Sequence, residues 1–294
     1  MEFQQFEQEV QGLGVYGVMA TQNGILLGQK RWAPACRRNV YSVAKSVAAC
    51  AVGFAIQEGL LTLEEPLTSA FEEDLPQTLS DNLAKATVRD LLTMCLGQEK
   101  PEMMAAQRAQ YGGMDWVKLS LSFPFVFAPN TRFVYSNVGP YLAGVLVQRR
   151  AGCNLVDYLT PRLFTPLGIL PPEWAADPMG NTFASSDLLL SLEELHTFGQ
   201  FCLQKGAWEG KQLLDPHWVE ECTKKQVENN QDDYGYGYFF WGGPYGTFRT
   251  EGKWGQVSLF SREKNAVITV VGDCRRNTKQ LNHAIYHCLF PQLD

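Results

Sequence analysis

The chain has 294 residues, 45% of them hydrophobic and 19% charged, and 25 basic residues against 31 acidic ones leave a net charge of −6 at pH 7. That balance argues against a nucleic-acid binder or a protein of anionic membrane surfaces, and the apolar content argues against a disordered chain. At this length a folded chain buries about three-quarters of its extended surface, so one or two compact lobes are expected.

Residues 1–10 carry Glu2, Glu7 and Glu9 with neither a basic segment nor a following apolar stretch, so no secretory signal is expected there. Residues 15–20 and 25–29 are apolar-rich and flank Asn23-Gly24, a strong hairpin signal. From 43 to 56 nearly every residue is apolar or small, which predicts a helix buried on every side, with Gly59 as its C-terminal cap. Its residues 47–56 form the longest apolar run, and ten residues fall well short of the roughly 20 that a membrane span needs. Residues 60–185 alternate helical stretches, at 88–95 and 140–149, with Pro- and Gly-rich loops. Residues 191–204 read as an amphipathic helix, and 234–241, 247–250, 256–261 and 266–272 read as strands of an antiparallel meander. Residues 278–289 read as a helix that packs on that sheet.

These elements predict an α/β (α+β) fold: an antiparallel sheet flanked by helices, built from residues 1–60 and 186–294, with an all-helical lobe of residues 61–185 inserted. Eight cysteines (36, 50, 95, 153, 202, 222, 274, 288) contain no C-x-x-C pair, so buried thiols in a reducing compartment, the cytoplasm, are expected rather than a disulfide framework.

Chemistry concentrates at the start of the buried helix. Ser42 and Lys45 stand at i and i+3, on one helix face. A serine at a helix N-terminus gains from the dipole and from unpaired backbone N–H groups that can hold an oxyanion. A lysine in an apolar helix has its charged form disfavoured by desolvation, and a neutral amine is a usable base. A second element, Tyr135-Ser136-Asn137, precedes an apolar helix, and a phenol beside a lysine can relay a proton between nucleophile and leaving group.

With these residues the chain resembles the serine β-lactamase-related family: class C β-lactamases, penicillin-binding-protein-like D-amino-acid peptidases, esterases and amide hydrolases. Residues 57–63, residues 87–93, Thr165-Pro166-Leu167-Gly168 and Tyr234-Gly235-Tyr236-Gly237 follow in that family's order. The resemblance implies the serine β-lactamase/DD-peptidase-like fold, with Ser42 as acylated nucleophile and Lys45 and Tyr135 as the proton-transfer pair. It implies Asn137 as a polar contact to substrate or to Lys45. The third family motif, Lys-Thr-Gly, aligns with Thr250-Glu251-Gly252, since Gly252-Lys253-Trp254-Gly255-Gln256 matches the G-x-x-G-Q form of the esterase and amidase branches. In that alignment the N–H groups of Ser42 and Lys253 form the oxyanion hole, and Trp254 beside it touches substrate. Thr250 replaces the lysine that helps bind a substrate carboxylate, with Arg249 or Lys253 as substitutes.

The expectation is a serine hydrolase acting through an acyl-enzyme on a small ester, amide or peptide, with β-lactam turnover weak or absent. An acyltransferase of the same fold and a non-catalytic penicillin-binding or sensor-like protein are the alternatives. No cofactor, metal, nucleic-acid or membrane partner is expected. Oligomeric state is open.

Several look-alikes are read as structural. Ser261-Arg262-Glu263-Lys264 repeats S-x-x-K between two strands, as a turn. Ser80-Asp81-Asn82 spells another lactamase motif but reads as a loop opening a helix. Trp241-Gly242-Gly243, followed by Pro244, reads as a hairpin turn. Of four histidines (196, 217, 283, 287), His283 and His287 lie at i and i+4 without an evident third ligand, which favours an exposed helix face over zinc. Phe123, Phe125 and Phe127 either line an acyl pocket or fill the core.

Overall fold

Hydrophobic patterning folds both ends of the chain into one sheet. In the computed structural model, which describes residues 1–294, the short helix α1 (Gln4–Glu9) leads into β1 (Val15–Gln22) and β2 (Ile25–Arg31). Asn23 and Gly24 join the strands with φ of 53° and 74°, as a two-residue turn that follows strand twist requires. A small pair follows, β3 (Arg38–Asn39) with β4 (Leu189–Leu190). The later strands are β5 (Trp241–Gly242), β6 (Phe248–Gly252), β7 (Gln256–Ser261) and β8 (Ala266–Gly272), and the six-stranded antiparallel sheet runs β2-β1-β8-β7-β6-β5.

Every residue of β8 is buried because both faces of the sheet are covered. Side chains alternate accordingly. Ala266, Ile268 and Val270 join a cluster with Phe6, Leu281, Ile285 and Leu289, whereas Val267 and Val271 face the larger core.

Through that larger core runs α2 (Val43–Gln57), buried from Val43 to Ala55. Its small residues let neighbours approach closely: a Cβ on Gly53 would lie 2.2 Å from the Trp218 ring, whose Nε1 donates to Ala49 O at 3.0 Å. The helix ends as expected at Gly59, φ 71°. Beside α2 lies α3 (Val138–Ala151), where a Cβ on Gly139 would lie 2.3 Å from Leu91 O. The predicted amphipathic helix is α4 (Leu192–Leu203), opened by a capping box: Ser191 Oγ accepts from Glu194 N at 3.2 Å, and Glu194 Oε2 accepts from Ser191 N at 2.8 Å. Then come α5 (Pro216–Thr223) and α6 (Thr278–Ala284), the latter continuing as a wider turn over Ile285–Leu289.

Residues 234–241 correct the expectation of a strand. Only Trp241 joins the ladder there, while Tyr236 makes isolated bridges to Val227 and Trp241, and Phe239 sits at φ 62°. The cause is close packing: a Cβ on Gly237 would lie 2.0 Å from Cys222 O, so the segment threads against α5 instead of extending. The helix expected over 88–95 stops at Leu92, because Met94 takes the left-handed φ of 61°. None of the eight cysteines is paired; six are buried, Cys36 is exposed and Cys153 is half-buried.

Candidate active site

The turn that leads into Ser42 is held from both sides. β3 and β4 tie it to the chain after residue 187, and Val40 N donates to Leu188 O at 2.9 Å. Asn39 Oδ1 accepts from Tyr41 N at 2.7 Å, and Tyr41 takes φ 49°, a costly conformation for a bulky residue. That turn leaves Ser42 at the N-cap of α2 without its hydroxyl capping the helix, so Oγ is free for other contacts.

One of those contacts is Lys45, 1% exposed, whose Nζ lies 2.9 Å from Ser42 Oγ, 2.7 Å from Asn137 Oδ1 and 2.8 Å from Ser185 O. Burial pushes its pKa down to about 7, Arg108 adds to the shift, and Asp187 opposes it. A large share of the amine is therefore uncharged near neutrality, with a lone pair for the serine proton.

Tyr135 closes the set, its ring 5.2 Å from Lys45 Nζ. Burial raises its phenol well above the usual value and Glu251 adds to this, while a hydrogen bond with Ser42 pulls the other way. At neutral pH the phenol keeps its proton. The ring is wedged among Trp241 at 5.3 Å and Tyr236 at 6.3 Å, which gives the Tyr234-Gly235-Tyr236-Gly237 segment a physical task. Asn137, the N-cap of α3, donates through Nδ2 to Met103 O at 3.0 Å, so its Oδ1 must face Lys45.

The edge of β6 presses on the base of α2. A Cβ on Gly252 would lie 2.0 Å from Val40 O, so only glycine allows this approach. Beyond it the chain turns through Lys253, Trp254 (φ 67°) and Gly255 (φ 93°) into β7. The N–H groups of Ser42 and Lys253 both lie outside the helix and strand ladders and have no acceptor within the protein.

The remaining predicted residues are placed as follows. Thr250 is fully buried and its hydroxyl meets Ser46 Oγ at 2.8 Å. Arg249 is held by Glu251 Oε2 at 2.6 Å and by Gly242 O at 2.5 Å. Lys253 is exposed, with Nζ 4.5 Å above the Trp254 ring. Arg275 lies 4.0 Å from that ring, and Tyr41 meets it edge-on at 5.1 Å.

Four contributors escaped the sequence: Ser185, Asn39, Arg108 and Asp187. Only the Asn39-x-Tyr41 spacing, an Asx turn before the serine, carried a local signal.

The look-alikes fall elsewhere. Ser80 caps a short helix, its Oγ accepting from Leu83 N at 3.1 Å. Ser261 Oγ accepts from Lys264 N at 3.2 Å within a turn. Trp241 and Gly242 form β5, whose link to β6 is the turn expected there. His283 and His287 stack at 3.9 Å on an exposed face. Phe125 is buried in the core, whereas Phe123 and Phe127 are half-buried.

Comparison with known proteins bears on the family and the fold. The profile of the family described as Beta-lactamase matches residues 3–284. Lovastatin esterase of Penicillium rubens is 30% identical over 186 residues, 55% of this chain and 45% of that protein. An uncharacterised protein of Alkalihalophilus pseudofirmus is 23% identical over 223 residues, 69% of this chain and 59% of that one. The chain thus spans about half the length of the curated relatives it matches. A solved structure of a Bacillus anthracis protein assigned as a 6-aminohexanoate-dimer hydrolase superposes with TM-score 0.81 at 18% identity, covering 95% of this chain and 79% of that one. EstCE1, a hydrolase with promiscuous acyltransferase activity, superposes with TM-score 0.76 at 14% identity, covering 96% and 99%. Because the family match runs through nearly the whole sequence and the structural likeness covers the same span, the chain belongs to the Beta-lactamase family.

Proposed function

We propose that the chain is a serine hydrolase that acts through an acyl-enzyme on a small ester or amide. The observation that carries this reading is the buried Lys45 amine, with a pKa of about 7, in hydrogen-bond contact with Ser42 Oγ at 2.9 Å. Ser42 Oγ attacks the carbonyl carbon as its proton passes to the neutral Lys45 Nζ. The N–H groups of Ser42 and Lys253 receive the oxyanion. Tyr135 gives its proton to the leaving oxygen or nitrogen as that bond breaks, and regains one from the Lys45 ammonium. Water then attacks the acyl ester, and the same pair moves its proton in reverse. The amine and phenol are close enough to titrate together, so apparent pKa values belong to the pair.

β-Lactam turnover is weak or absent in this reading. Thr250 stands where the carboxylate-binding lysine would be, its hydroxyl taken by Ser46, and Arg249 is neutralised by Glu251. The esterase among the relatives supports an ester substrate. Acyl transfer to an alcohol is the second reading; EstCE1 and a simvastatin synthase of Aspergillus terreus, TM-score 0.70 at 15% identity and covering 96% of this chain and 95% of that one, share the fold. Product analysis with added alcohol separates the two. The unpaired thiols support a reducing compartment such as the cytoplasm, and no helix is long and apolar enough to cross a membrane.

The reading is tested with p-nitrophenyl acyl esters. Wild type should turn them over, and Ser42→Ala should lose at least about a thousandfold. Equal turnover by the two proteins would remove Ser42 from the chemistry. Benzylpenicillin should leave no lasting adduct and should not be consumed.

A further inference from the structure

Three parts of the site meet on Asp187, a residue outside every motif of the sequence. Its Oδ1 accepts from Asn39 Nδ2 at 2.7 Å and its Oδ2 from Arg108 Nη1 at 2.6 Å. The first bond decides which way the Asn39 amide points: with Nδ2 committed to the carboxylate, Oδ1 is left to accept from Tyr41 N at 2.7 Å. That acceptor holds the turn at φ 49° that presents Ser42. Two residues before Asp187, Ser185 gives its carbonyl to Lys45 Nζ at 2.8 Å and its hydroxyl to Asn137 O at 2.6 Å. Asp187 itself has φ 64°, a left-handed conformation that aspartate tolerates better than most residues, kept here between the bridge to Asn39 and the start of β4.

We propose that Asp187, paired with Arg108, is a positioning residue for Ser42 and Lys45: its carboxylate fixes the turn that presents the hydroxyl and balances the charge facing the amine. This deepens the acyl-enzyme reading and rests on it. The groups around Lys45 are few. The loop after Ser185 brings Asp187, and the helix Ala105–Arg108 brings Arg108, whose guanidinium is steadied 4.3 Å from the Phe183 ring. The N-cap of α3 brings the neutral Asn137, and the segment before it brings the protonated Tyr135, with Glu251 of β6 acting on that phenol. Arg108 disfavours the ammonium and Asp187 favours it. Each charge masks the other, so removing one exposes the amine to its partner.

The test is the pH dependence of Ser42 labelling by a fluorophosphonate, which needs no natural substrate. The wild-type rate constant should rise through an acid limb near pH 7. Asp187→Asn should move that limb down by about half a unit to one unit, and Arg108→Gln should move it up by a similar amount. Arg108→Lys keeps the charge and should keep the limb. Asp187→Asn should also lower the plateau about tenfold, since a carboxamide offers one acceptor oxygen where the carboxylate offers two. A merely structural residue would lower the plateau in both variants without moving either limb, and that result overturns the proposal. If Asp187→Asn fails to fold by circular dichroism, Arg108→Gln against Arg108→Lys decides: an upward shift in the first alone supports the proposal, and any other pattern overturns it. Absence of labelling on wild type, or labelling kept by Ser42→Ala, overturns the acyl-enzyme reading and this proposal with it. Normal labelling with unmoved limbs overturns this proposal alone.

Discussion

Lys45 illustrates how burial changes the protonation of an ordinary residue, and it leaves a thermodynamic trace. Folding lowers its pKa from 10.5 to about 7. Between those values the unfolded chain binds more protons than the folded one, so this group's contribution is full above about 10.5, falls as pH drops toward 7, and is flat below. Lys45→Met lacks that dependence. The stability of wild type relative to Lys45→Met should therefore grow between pH 7 and pH 9, on the order of 2 kcal/mol, in denaturant titrations at the two pH values. The same variant should lose at least about a hundredfold in esterase rate. Ser42 and Lys45 were legible in the sequence because i and i+3 on a buried helix is a local relation. Asp187 and Ser185 were not, since they reach Asn39 and Lys45 only across 148 and 140 residues of chain.

Among the elements, β6 makes its close approach to the base of α2 just ahead of Ser42. Gly252→Ala would place a methyl group 2.0 Å from Val40 O and force the strand away. We expect a stability loss of about 1–3 kcal/mol and at least a tenfold fall in labelling rate, measured by thermal melting beside fluorophosphonate kinetics; an unchanged rate would mean that this contact does not set the site. The packing of α4 on the sheet carries a second pH signature. His196, 1% exposed, lies 3.0 Å from Thr21 Oγ1 and 2.9 Å from Thr269 Oγ1, and burial pushes its pKa down to about 4. Its contribution is complete above about 6.5 and is lost as pH falls toward 4, up to about 3 kcal/mol. His196→Gln should flatten the stability profile across that window. The antiparallel strands at 256–261 and 266–272 were legible because their apolar runs and turn signals are local. The aromatic segment 234–241 misled because β-favouring residues there pack around Tyr135 and α5, and the extended path is blocked by Cys222 at Gly237.

For the whole molecule, composition and element order gave the architecture: an antiparallel sheet made by both ends of the chain, with helices between and around. Where the two lobes divide is less informative than what joins them. One cluster of 64 buried residues runs from Val40 through α2 and α3 to Val271, linking strands and helical middle. With no separate core for residues 61–185, unfolding should be a single transition seen alike by far-UV circular dichroism and by tryptophan fluorescence, and two resolved transitions would show that the lobes fold independently. Least legible was how the side chains around Ser42 pair: Arg249 with Glu251 Oε2, and Lys253 over the Trp254 ring, are contacts that only the folded chain shows. The proposed function stands or falls with Ser42 as an activated nucleophile. Intact-protein mass spectrometry of wild type and Ser42→Ala after fluorophosphonate treatment tests it most directly: a single phosphonyl adduct on wild type alone is the predicted result, and an unmodified wild type, or an adduct that survives the substitution, would contradict it.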